Sequence, residues 1–143
     1  MAFKLHPVLT KDCIQLGRFE LCMVLLMNDE HYPWVILVPQ VENIREAFEL
    51  SEAQQHLLMK ESNFVSKAMS EMFHADKMNQ AALGNMVPQL HIHHVARFKS
   101  DVAWPAPIWG KVTPKAYDEQ GLEAMIAKLN QGLSNHPNYR PLD

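Results

Sequence analysis

Residues Asn85 to Arg97 read NMVPQLHIHHVAR and place three of the chain's eight histidines within four positions, beside a glutamine. In an extended chain alternate side chains share a face. Gln89, His91, His93 and Arg97 therefore form one row, and Leu90, Ile92, His94 and Ala96 the other. Leu90 and Ile92 belong in a core. That sends the Gln-His-His-Arg row to solvent or to a cleft, and it separates His94 from its neighbours. Three readings suit such a row. It can be a solvated strand face. His91 and His93 can give two imidazole ligands to a metal, with His31, His74 or His136 as further donors. Or a neutral imidazole can attack phosphorus, because its pKa lies near ambient pH, while the ring two residues on donates a hydrogen bond to a phosphoryl oxygen.

The row needs a rigid sheet behind it, and the surrounding pattern supplies one. FELCMVLLM (19–27) and WVILVP (34–39) read as strands, joined by the turn chemistry of NDEHYP into an antiparallel hairpin. Ser51 and Gln54 form a capping-box pair that opens a long helix, free of Pro and Gly as far as Gly84. Leu58, Val65, Met69 and Met72 give that helix an apolar face. KMNQAALGN and VPQLHIHHVARF are two further strands with a turn signal at Gly84-Asn85. DVAWPAPIWGKVTP is too rich in proline for a central strand and reads as an ordered loop. Its Trp104 and Trp109 either pin that loop or border the row. A last helix spans about Asp118 to Leu133. Hairpin, helix, hairpin, helix is an α+β order: an antiparallel sheet with a long helix packed on it and a C-terminal helix.

Composition narrows the function. A length of 143 residues, 48% hydrophobic and 20% charged, predicts one globular domain over residues 1–143. A net charge of -3 with scattered Lys and Arg gives no support for nucleic acid as a partner. Cys13 and Cys22 form no CxxC pair, so a reduced cytoplasmic compartment is expected. No apolar run approaches the roughly 20 residues of a membrane-spanning helix, and the N-terminal residues lack a signal-peptide core.

The combination NQAALGNMVPQLHIHHVAR, preceded by the hairpin and the long helix, resembles the histidine triad (HIT) family of nucleotide hydrolases and transferases. The resemblance covers most of residues 15–110. It implies a HIT-like α+β fold, a homodimer, a small nucleotide substrate, and no cofactor or metal. Gln89, His91 and His93 match the three triad positions. His91 is implied to attack the α-phosphorus and carry a nucleotidyl group, and His93 to bond a phosphoryl oxygen. Asn79 and Asn85 match polar positions of the phosphate cleft, and Asn28 or Asp29 the ribose contact. Two departures stand out. Gln89 replaces a histidine and is no general acid at neutral pH. Trp34 stands where many members carry a fourth histidine, and its indole is expected to pack on Gln89. Met86 replaces a hydroxyl residue. A catalytically weak nucleotide-binding or regulatory protein is the alternative on this scaffold, and an H-x-H metal-binding protein the third reading.

Overall fold

The computed structural model describes residues 2–142. Six antiparallel strands make one sheet: β1 (Cys13–Arg18), β2 (Cys22–Met27), β3 (Trp34–Pro39), β4 (Lys77–Ala81), β5 (Ile92–Arg97) and β6 (Arg140–Pro141). Their spatial order is β4-β5-β3-β2-β1-β6. Three helices complete the chain: α1 (Pro7–Asp12), α2 (Glu52–Phe73) and α3 (Glu119–Leu133). This is the α+β architecture that the hydrophobic pattern predicts.

The sheet's two faces are covered differently. β3 is buried at every position, as its continuous apolar run demands of a strand with both sides covered. On one face Val24, Leu26, Val35, Leu37, Ile92 and Ala96 meet Leu58, Val65 and Met69 of α2 and Leu129 and Leu133 of α3. Full burial of each Val, Leu, Ile or Met side chain there is worth about 1.5–3 kcal/mol. Helix α2 starts where the capping box predicts: Ser51 Oγ accepts the Gln54 N–H at 3.1 Å, and Gln54 Oε1 accepts the Ser51 N–H at 2.9 Å. On the other face Leu25, Trp34, Ile36, Val38 and Val95 have no long helix above them. Leu9 of α1, Val87, Ala103 and Ile108 pack there instead. Short segments leave gaps that a long helix would fill.

Three local features differ from the sequence pattern. The apolar run from Phe19 predicts one strand, but residues 19–21 turn between β1 and β2, with the Phe19 N–H on the Cys22 carbonyl at 2.8 Å. β1 is masked by a bulge between Gln15 and Gly17, where the Arg140 carbonyl lies in the space a Cβ on Gly17 would take. The Gly84-Asn85 signal predicts a tight hairpin. β4 and β5 do pair, with Ala81 opposite His93, yet residues 82–91 form a longer loop between them. Pro88 has no N–H to give a ladder there. Gln89 and His91 therefore lie just ahead of β5, at the mouth of the open face.

Candidate active site

His91 and His93 border a cleft of about 450 Å³ on the open face, with Trp34 and Ile36 of β3 as its floor. Val8, Leu9 and Asp12 enclose it from α1, and Leu83, Asn85 and Met86 from the loop before β5. Its walls are mostly apolar. Asp12 is the one formally charged side chain among them, and no Lys or Arg lines it. The strand register fixes the two rings: His93 lies opposite Ile36, and Trp34 opposite Val95. The rings of His91 and His93 meet edge to face, 4.9 Å between centroids. His94 points to the helix-covered face, as the alternation predicts.

Hydrogen bonds assign the tautomers. His91 Nδ1 lies 2.7 Å from the Gln89 carbonyl. A carbonyl only accepts, so Nδ1 carries the proton and Nε2 keeps its lone pair. The Trp34 indole N–H donates to His93 Nδ1 at 2.9 Å. An indole N–H only donates, so His93 carries its proton on Nε2. Burial disfavours the charged form of both rings. It lowers the His91 pKa from 6.5, against the opposing pull of the Gln89 carbonyl and with a smaller contribution from His6. It takes His93 down to about 3, helped by the neighbouring histidines. The pair is thus one neutral imidazole with a free lone pair beside one neutral imidazole with a free N–H. Trp109 closes the side of the pair, edge-on to His93 at 5.2 Å and to Trp34 at 6.2 Å.

Of the remaining candidate residues only Asn85 borders this cleft, and the others make bonds elsewhere. The side chain of Gln89 turns to the N-terminal segment: its Oε1 accepts the His6 N–H at 2.8 Å, and its Nε2 donates to the Lys4 carbonyl at 3.0 Å. The expected packing of Trp34 on Gln89 does not occur. The indole serves the third triad position instead, because β3 and β5 are hydrogen-bonded neighbours while Gln89 lies beyond the end of the strand. Asn85 borders the cleft. Asn79 accepts from Arg97 Nη1 at 2.7 Å. Arg97 is buried and not solvated: it also meets Asp101 at 2.8 and 3.1 Å and the Ala106 carbonyl at 2.9 Å, and so ties down the proline-rich loop. Trp104 belongs to that anchor, its ring 5.6 Å from the guanidinium carbon. Asn28 accepts the Tyr117 N–H at 3.0 Å. Asp29 accepts from His31 and from the Lys115 N–H, and it borders a separate hollow beyond Trp109.

Sequence reasoning did not find the contribution of α1. Only six residues long, it carries no periodic signal, although His6 caps it and Pro7 opens it in the way a helix start requires. Among the described residues no group of three His, Cys, Asp or Glu is arranged to hold a metal ion. Nor is any helix among them long and apolar enough to cross a membrane.

The HIT domain profile matches residues 9–100. A histidine triad protein from Marinobacter aquaeolei of solved structure is 52% identical, covering 94% of this chain and 98% of that one with a TM-score of 0.92. One from Bradyrhizobium japonicum is 43% identical over 93% of this chain and 99% of that one, TM-score 0.90. A third, from Sinorhizobium meliloti, is 39% identical over 91% and 96%, TM-score 0.88. No curated protein matches the chain.

Proposed function

The chain belongs to the histidine triad (HIT) family, and on that premise we propose that it cleaves or transfers nucleotidyl groups at the α-phosphate through a covalent intermediate on His91. The match of NQAALGNMVPQLHIHHVAR to the family's pattern is what implies a nucleotide ligand. The observation that carries the reading is the complementary tautomer pair in one cleft. The Gln89 carbonyl on Nδ1 aims the His91 Nε2 lone pair away from the backbone. The indole on Nδ1 of His93 leaves its Nε2–H as a donor for a phosphoryl oxygen. Lone pair and donor are both set before substrate arrives, which removes reorganisation from the reaction itself.

In the first step the His91 Nε2 lone pair forms an N–P bond as the bond from phosphorus to the leaving group breaks. The developing charge on the phosphoryl oxygens meets the His93 N–H. Water or another hydroxyl acceptor then attacks phosphorus from the vacated side and releases its proton to solvent, and the electron pair of the N–P bond returns to Nε2. The apolar wall of Val8, Leu9 and Met27 suits a nucleoside. Asn85, which borders the cleft, supplies an amide for the phosphate in this reading.

The experiment is intact-mass analysis after incubation with diadenosine triphosphate, quenched without acid to preserve an N–P bond. A mass increase of one adenylyl group, absent in His91→Asn, supports the reading. Nucleotide binding with neither adduct nor turnover would replace it with a binding module on the same scaffold. The family reading also carries the expectation of a homodimer, which sedimentation at micromolar concentration measures.

A further inference from the structure

We propose that Arg45 forms a leaving-group subsite beside His91, and that the substrate is one whose leaving group departs as an oxyanion, a phosphoanhydride rather than a phosphoramidate. This rests on the nucleotidyl-transfer reading above and deepens it.

His91 borders more than the apolar cleft. A notch of about 30 Å³ shares His91 and Leu83 with it and is lined further by Gly84, Gln89 and Arg45. That notch in turn adjoins a groove of about 260 Å³ lined by Asn43, Ile44, Arg45, Pro88 and Gln89. A phosphate at His91 carries two substituents. The apolar cleft takes the nucleoside, and the path past Gln89 and Arg45 takes the other. The position of Arg45 is built in: the Ile44 carbonyl accepts the Leu90 N–H at 2.9 Å, and Glu49 Oε1 accepts the Arg45 N–H at 2.9 Å. Its guanidinium takes part in none of the ion pairs among the described residues. Glu46, the acidic neighbour lining the notch, gives its backbone N–H to Glu49 Oε1 at 2.8 Å, and its carboxylate forms no ion pair with Arg45.

On this side nothing is set to give up a proton. The Gln89 amide is not an acid, and both its ends are held by Lys4 and His6. His6 Nδ1 accepts the Val8 N–H at 3.1 Å. His93 is a neutral donor. An amine cannot leave phosphorus without a proton. A phosphate ester or pyrophosphate leaves as the anion, taking the P–O electron pair with it, and needs only a cation to meet the charge. Arg45 is the one cation on the path and presents the fork geometry that phosphate oxygens take.

Steady-state hydrolysis of diadenosine triphosphate and of adenosine 5′-phosphoramidate by the full chain tests this. Wild type is expected to show a kcat/KM at least tenfold higher for the triphosphate. Arg45→Gln should cut that value roughly tenfold or more, with a much smaller change for the phosphoramidate, and Arg45→Lys should restore part of the loss. Equal or faster turnover of the phosphoramidate, abolished by His91→Asn, would overturn the oxyanion assignment and leave nucleotidyl transfer standing. Equal losses on both substrates in Arg45→Gln would likewise remove Arg45 from the leaving-group side. No turnover of either substrate and no adduct would overturn both proposals.

Discussion

His93 and His94 are adjacent in sequence and face opposite sides of β5, and the two sides treat an imidazole differently. Under α2, His94 is closed off completely. Ser62 Oγ lies 2.6 Å from its Nε2, its Nδ1 reaches the Val35 carbonyl at 3.3 Å, and Gln80 completes the relay on Ser62 at 2.6 Å. On the open face His93 has one nitrogen held by Trp34 and the other free for the cleft. A histidine with both nitrogens satisfied is structure. One with a single nitrogen satisfied is oriented and still available. The lesson extends to Arg97, on the open face yet fully paired, which makes it an anchor for the loop that covers that face.

The largest effect should come from breaking that anchor. Arg97→Ala removes the buried guanidinium from half-buried Asn79 and from Asp101, which keeps only its backbone N–H donors, and should cost about 3 kcal/mol of stability in urea unfolding. Retained stability would mean that the open face holds its loop by packing alone. On the helix-covered face, His94→Leu takes one partner from Ser62, which keeps Gln80, and one from the Val35 carbonyl. It should lose about 2–3 kcal/mol while the folded protein still forms the His91 adduct. Loss of the adduct at full stability would erase the distinction between the two rings.

Acid should act on both faces together. His93 and His94 take up a proton near pH 6.5 when unfolded but only near pH 3 and 4 when folded, chiefly because burial penalises the charged ring. The unfolded chain therefore binds more protons below pH 6.5. Stability is fully present above that value and falls as pH drops toward 4, by up to roughly 1.4 kcal/mol per pH unit for each ring. Denaturant midpoints at pH 7, 6 and 5 measure the slope. The acid limb of turnover should also lie below pH 6.5, since burial lowers the His91 pKa and the lone pair survives further into acid.

The smallest change sharpens the comparison most. Trp34→Phe keeps the ring but removes the N–H that fixes the His93 tautomer. It should slow turnover about tenfold with stability altered by roughly 1 kcal/mol. Nitrogen-15 shifts of His93 should then show both tautomers. A single unchanged tautomer would show that the indole does not set it.

Much of the scaffold was legible in the sequence because its signals are local. The apolar run of β3, the Ser51–Gln54 box and the spacing from Leu122 to Leu133 each lie within a few turns or one strand. β1 and α1 were not legible, one broken by its bulge and the other too short to show a period. Among the site residues, Asn28, Asn79 and Gln89 have the polarity expected of a phosphate or ribose contact. Polarity alone does not say what a side chain bonds, and these three bond backbone or Arg97.

Strand alternation is a property of the backbone, so the sequence by itself determined that His93 and His94 point to opposite sides, whereas Gln89 and His91 fall in the loop ahead of β5, where alternation no longer holds. Which nitrogen of each ring is free, and whether Gln89 or Arg45 meets the leaving group, depends on partners far away in the chain. Trp34 lies 59 residues from His93, and Lys4 lies 85 from Gln89. Hydrogen bonds between such distant groups exist only once the sheet has closed, and that closure decided the chemistry of the row.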